Sequence, residues 1–169
     1  MLNSAPRQPG KYKQGLYTPK NKEKLIKANS YGGVFYRSGL EHKMMIYLDS
    51  NESVKVWGAE HLRIPYEKTE YNSKTKEMET TSHGYYPDFY YELTRSDGSV
   101  SRVVAEVKAS NETVEPKLPI KPTAKQLKNF EYALKMWNKN LSKWKYMIEY
   151  CERKGFEFII ITEKHLSKN

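Results

Sequence analysis

The chain has 169 residues, enough for one ordinary domain and too few for two full cores. Its 29 Lys and Arg against 20 Asp and Glu leave a formal charge of +9, and its 14 Tyr, 5 Phe and 3 Trp supply a core that argues against wholesale disorder. The single cysteine, Cys151, excludes an intrachain disulfide and a cysteine-based zinc site, and no stretch approaches the length of apolar residues a membrane span needs, so we expect neither a transmembrane helix nor a secretory signal.

Residues 1–20 carry Pro6, Pro9, Gly10, Gly15 and Pro19 among polar and basic residues, and they read as a flexible arm rather than a folded element. With a short helix expected around 21–28, the division is a basic arm over 1–27 and a single domain over 28–169. Ser38-Gly39-Leu40-Glu41 is a capping-box pattern, and Leu40, Met44, Tyr47 and Leu48 follow at helical spacing, which predicts a helix over about 39–49. Residues 54–57 and 62–66 predict strands. The polar stretch 67–83 reads as a hairpin connection or a mobile loop. Residues 85–93 are aromatic and β-prone, Ser96-Asp97-Gly98-Ser99 is a turn, and residues 102–108 alternate as a strand.

Pro116, Pro119 and Pro122 mark 109–122 as an extended loop. Thr123 caps a helix to about 137, and Asn138-Lys139-Asn140 predicts an interruption before a continuation to about 154, with Gly155 closing it. A buried strand over 156–161 and a last turn capped by Thr162 complete the order. Helix, meander, helix, strand argues an α/β or α+β domain around one mixed sheet.

Charge is unevenly placed. Residues 1–27 hold seven Lys and Arg against one Glu, residues 28–116 hold ten against fourteen acidic groups, and residues 117–145 hold eight Lys against one Glu. Two basic flanks around an acidic centre suit a polyanion-binding protein whose carboxylates hold a divalent metal. On the second helix Leu127, Phe130, Leu134, Trp137, Leu141 and Trp144 fall within about a 100° arc. Lys125, Lys128, Lys135, Lys139 and Lys143 fall within about 80° on another side. The apolar stripe is expected on the sheet. The lysine stripe reads equally as a solvated face or as a track for a phosphate backbone, and Arg37, Lys11 and Lys13 are further backbone-contact candidates.

Chemistry concentrates at Pro87-Asp88 and Glu106-Val107-Lys108, eighteen residues on from the Asp. Alternation puts Glu106 and Lys108 on one face, and a turn centred on Asp97 sets Asp88 directly opposite Glu106. Two carboxylates with Cβ atoms about 5 Å apart repel unless something compensates. Mg²⁺ would compensate, because it takes hard oxygen ligands, and the Val107 carbonyl would add one more; Mn²⁺ would substitute. Lys108 can orient or deprotonate an attacking water, or neutralise charge that develops on phosphate. Metal-dependent phosphodiester hydrolysis follows, with an exposed hairpin whose acids pair with lysines as the bland alternative.

Glu41 closes the capping box and would be a third acidic group near the metal; Glu60, after Trp57-Gly58-Ala59, is a further acidic neighbour or a surface carboxylate. The four histidines show no ligand spacing, and no phosphate-cradling Gly-rich loop is present. Core packing is the expected role of Trp137 and Trp144, with base stacking the alternative.

The Asp88, Glu106 and Lys108 pattern resembles the PD-(D/E)xK nuclease superfamily. Tyr36-Arg37-Ser38 with Glu41, Trp57-Gly58 with Glu60, Ile64-Pro65-Tyr66, Lys143-Trp144 and the stretch from Arg153 to Glu163 narrow it. They resemble the head-completion nucleases of T-even-type tailed phages and, more distantly, the nuclease subunit of Tn7-like transposases. The resemblance implies a restriction-endonuclease-like core, a mixed central sheet flanked by helices. It implies catalysis by Asp88, Glu106 and Lys108 with Glu41 as the helix carboxylate, and Gln126 as the counterpart of a superfamily glutamine. It also implies action on the ends of packaged phage DNA before heads and tails join, portal or neck proteins as partners, and passage from host cytoplasm to virion without a membrane. The rival reading is a structural head–tail connector that binds DNA ends and whose nuclease site is vestigial.

Overall fold

A computed structural model describes residues 13–166. Four strands form the central sheet: β3 (Val54–Ala59), β6 (Phe89–Thr94), β7 (Val100–Val107) and β8 (Glu157–Ile161), adjacent in that order. The first three run antiparallel and β8 joins parallel to β7, so the sheet is mixed. Before them come β1 (Gly15–Tyr17) and β2 (Val34–Tyr36), which pair with each other, and helix α1 (Gly39–Ser50). Strands β4 (Ile64–Asn72) and β5 (Glu77–Tyr85) form a separate hairpin between β3 and β6. Helix α2 (Ala124–Lys154) makes the crossover from β7 to β8, as a parallel pair requires, and the short α3 (Glu163–Leu166) ends the described chain.

Sheet alternation sorts the core into two halves. On one face Trp57, Phe89, Tyr91, Val103 and Ala105 pack against Met44, Met45 and Leu48 of α1. On the other, Tyr90 and Val104 pack against Met147 and Cys151 of α2 and against Ile64, Tyr66 and Tyr85 of the hairpin. Each such fully buried large side chain contributes about 1.5–3 kcal/mol. Helix α1 starts where expected, with Ser38 accepting from the Glu41 amide, and Gly155 ends α2 at φ +64°, a left-handed residue that glycine supplies without strain.

Five expectations change. The arm is folded from residue 13 onward: β1 pairs with β2, and the Asp49 carboxylate accepts from Tyr17 Oη at 2.7 Å, Lys20 N at 2.8 Å and Asn21 N at 3.0 Å. Between them the expected short helix shrinks to a single 3₁₀ turn, Lys22–Lys24. Of the two readings of 67–83 the mobile loop fails: the segment continues the hairpin strands to Asn72 and from Glu77 in a nine-pair ladder, with a tight turn between. The aromatic stretch 85–93 breaks at Tyr86-Pro87-Asp88, where proline cannot donate to a ladder, so β5 and β6 belong to different sheets. Asn138-Lys139-Asn140 does not interrupt α2, because Trp137 and Trp144 meet edge-to-face at 5.8 Å across those turns.

A further correction concerns which face of α2 is covered. Its buried residues are Trp144, Met147 and Cys151, while Leu127 and Leu141 of the expected apolar stripe stay about two-fifths exposed. The helix is longer than the sheet is deep, so its N-terminal turns overhang. Strand β8 is half-buried rather than buried for the related reason that it lies at the sheet edge.

Candidate active site

Register places the chemistry. Phe89 pairs with Ala105 and Thr94 with Val100, so Asp88, one residue before β6, stands opposite Glu106 as the sequence expects. The Val107 amide donates to Asp88 Oδ2 at 2.7 Å, and the Asp88 carbonyl accepts from the Glu60 amide at 3.1 Å. Both bonds fix Asp88 at the end of the sheet, where Pro87 has stopped the strand. Glu106 is 3% exposed. Its Oε1 pairs with Lys108 Nζ at 2.8 Å, and its Oε2 accepts from the buried Tyr85 hydroxyl. The Lys108 backbone amide is held by the Ile161 carbonyl of β8 at 2.9 Å.

Electrostatics follow from this crowding. Asp88 keeps some accessible surface, yet its carboxylate is deeply surrounded. Burial, then the Glu106 charge, push its carboxyl well above the usual carboxylate range against the pull of Lys108. Burial and Glu106 likewise push the Tyr85 phenol up, so it remains a donor. Burial disfavours the Lys108 ammonium, but Glu106 and Asp88 outweigh it and raise its pKa.

The remaining candidates separate. Glu41, Glu60 and Arg37 border one small cavity with Asp88. Glu41 Oε2 accepts from the Arg37 amide at 2.8 Å, and Arg37 pairs with Glu60 at 2.5 Å. Glu60 adopts φ +47°, a left-handed conformation unusual for a residue with a side chain, held beside the site by its bond to Asp88. Lys13 lines a cleft of about 900 Å³ that runs from the α1 N-terminus to Lys108, together with Arg37 and Lys43. Lys135 and Lys139 border a groove between α2 and β4, and Lys125 and Lys128 are exposed on the overhang. Lys11 lies outside the described residues.

Gln126 is not at the site. It occupies the third position of α2 and closes the capping box with Thr123. The α2 side chain that does reach the site is Lys143, roughly 25 Å further along the helix. Its Nζ sits 4.6 Å from the centre of the Tyr85 ring, and burial lowers its pKa while Glu106 and Asp88 oppose that fall. The sequence places Lys143 in the lysine stripe and in the Lys143-Trp144 pair of the resemblance, and Tyr85 among the aromatics, without assigning either to the site. The Lys143-Trp144 pair in the resemblance was the available signal, since periodicity alone does not set the rotation of α2.

Among the described residues no three His, Cys, Asp or Glu side chains converge as a metal-holding group. Asp88 and Glu106 stand on facing residues, and burial with the Glu106 charge disfavours the Asp88 anion. That set suits a hard divalent cation which keeps several of its own waters.

Residues 51–163 match the family described as TnsA-like endonuclease N terminal. The chain belongs to this family. It is also 28% identical over 156 residues to the head completion nuclease of Enterobacteria phage T4, covering 90% of this chain and 92% of that protein. The matched segment holds β3 through β8 and therefore Asp88, Glu106, Lys108 and Lys143. The activity class is that of an endonuclease, on a mixed sheet flanked by helices as the resemblance implied. No helix among the described residues is long and apolar enough to cross a membrane.

Proposed function

We propose that the protein is a Mg²⁺-dependent DNA endonuclease that processes the ends of packaged phage DNA during head completion. The observation that carries the reading is the Asp88–Glu106–Lys108 cluster, tied by the 2.8 Å ion pair at the open end of the sheet. The name of the T4 relative supports the assembly role, and the family supports the chemistry.

Asp88 and Glu106 would hold Mg²⁺, or Mn²⁺ in its place, which when bound polarises the phosphoryl group and acidifies water. Tyr85 and Lys108 each engage one oxygen of Glu106, so the carboxylate is oriented before substrate arrives. The Lys108 ammonium orients the attacking water and neutralises charge as the phosphorus–oxygen ester bond breaks. Lys143 approaches from α2 to contact the same phosphate. Arg37 and Lys13, with the lysines of α2, grip the flanking backbone, and portal or neck proteins position the enzyme as it passes from host cytoplasm to virion.

Incubation of the protein with linear and supercoiled DNA, in Mg²⁺ or EDTA, tests this. Cleavage that needs the metal and is lost in Asp88→Ala and Lys108→Ala supports the nuclease. DNA binding without cleavage, in a protein that sediments with mature heads, would replace it with the connector reading.

A further inference from the structure

Lys108 also lines a second groove, which shares Asn111 and Glu112 with the α1 cleft and extends to α2. It measures about 430 Å³, within the range of pockets that take small organic groups. Tyr132, Met136 and Trp137 form its apolar wall on α2, and Asn111 and Asn140 line it with amides. Tyr132 is 68% exposed, a large aromatic surface with no core role. Trp137 meets the buried Trp144 edge-to-face, so the groove has one exposed ring at its rim and one ring packed against the core. On a helical wheel Tyr132 falls inside the arc of the α2 lysines, which interleaves an aromatic with a basic stripe.

We propose that this groove receives an unstacked nucleobase from the strand whose phosphate lies at Lys108. The inference rests on the nuclease reading for the position of that phosphate, and deepens it by naming the substrate class: DNA with unpaired nucleotides at the point of cleavage, such as a frayed or single-stranded end. Three features select this occupant. The groove begins at the ammonium that would meet the scissile phosphate, so a neighbouring base is within one nucleotide of it. Its wall is aromatic and sulfur-bearing, which stacks on any base face. Its amides pair with base edges, which a paired base inside a duplex cannot present to it.

The test is binding of the full chain to single-stranded and blunt duplex oligonucleotides of equal length, by fluorescence anisotropy in EDTA. Wild type is expected to bind the single strand more tightly and to show tryptophan quenching on binding. Tyr132→Ala should weaken single-strand binding about tenfold while leaving duplex binding within about twofold, and Tyr132→Phe should restore it. Equal loss on both DNAs, no loss on either, or no single-strand preference in wild type would overturn the proposal. Unchanged thermal melting checks that the exposed substitution leaves the fold intact. Because no cleavage is read, a protein that binds as expected but cuts no DNA would sink the nuclease assignment alone.

Discussion

The Val107 amide and the Asp88 carboxylate meet at 2.7 Å between the end of β7 and the start of β6, so Asp88 is a structural acceptor as well as a candidate ligand. The two roles separate by substitution. Asp88→Asn keeps an oxygen for the Val107 N–H and removes a charge that burial and Glu106 disfavour. In EDTA it should melt at or above wild type, with metal-dependent cleavage reduced at least about a hundredfold by analogy with loss of other charge-stabilising groups. Asp88→Ala orphans the amide and should fall below Asp88→Asn by about 1–3 kcal/mol in urea titrations. An Asp88→Asn protein that cleaves normally would remove Asp88 from the chemistry.

Tyr85 joins Glu106 to α2: its hydroxyl donates to the carboxylate and its ring carries Lys143. Tyr85→Phe keeps the ring and loses the donor, so stability should drop by about 1 kcal/mol while turnover drops by about tenfold as Glu106 loosens. Lys143→Met removes the ammonium and keeps the stem. It should leave melting unchanged or raised, because burial already disfavours that charge, and reduce single-turnover cleavage more than Tyr85→Phe does. The reverse order of effects would make Lys143 a packing residue.

Asp49 ties the N-terminal segment to α1. Burial disfavours its anion, but donors from Tyr17, Lys20 and Asn21 outweigh burial and hold its carboxyl below the usual range. A depressed folded pKa stabilises the fold above the unfolded value of about 3.9 and loses that contribution as pH falls through the folded one. Asp49→Asn should therefore cost about 2–4 kcal/mol at pH 7, from weakened charge-assisted bonds, and the gap to wild type should begin to narrow below about pH 4 and go on narrowing as pH falls through the folded value. Trypsin cleavage after Lys20 and Lys24 should be faster in the variant at pH 7.

The β6–β7 hairpin beside Asp88 and Glu106 was legible because the Asp97-Gly98 turn and the alternation of β7 left one register that buries Val103 and Ala105 together. The cap of α1 and the end of α2 were legible for local reasons: Ser38 and Gly155 act within one helical turn. The β4–β5 hairpin was not, since beyond Tyr66 both of its faces meet solvent and no burial period is written into residues 67–83. Strand β1 is three residues whose partner and anchor, β2 and Asp49, are distant in sequence. The approach of Lys143 to Tyr85 depends on the rotation of α2 about its axis, and the exposed Leu127 and Leu141 had pointed that rotation the wrong way.

That folded N-terminal segment changes how the basic flanks must be tested. Deleting residues 1–27 would remove β1 and the Asp49 donors, so a weaker DNA complex could report a damaged fold. A cut before residue 13 removes only Arg7 and Lys11 among the basic residues. If both touch phosphate, the slope of log affinity against log salt should flatten by about 1.8. Lys125→Gln with Lys128→Gln, both exposed on the α2 overhang, should flatten it by a similar amount without affecting melting. A slope that responds to the helix pair and not to the truncation would assign the grip on DNA to α2, beside the groove at Tyr132, and free the first twelve residues for a protein partner.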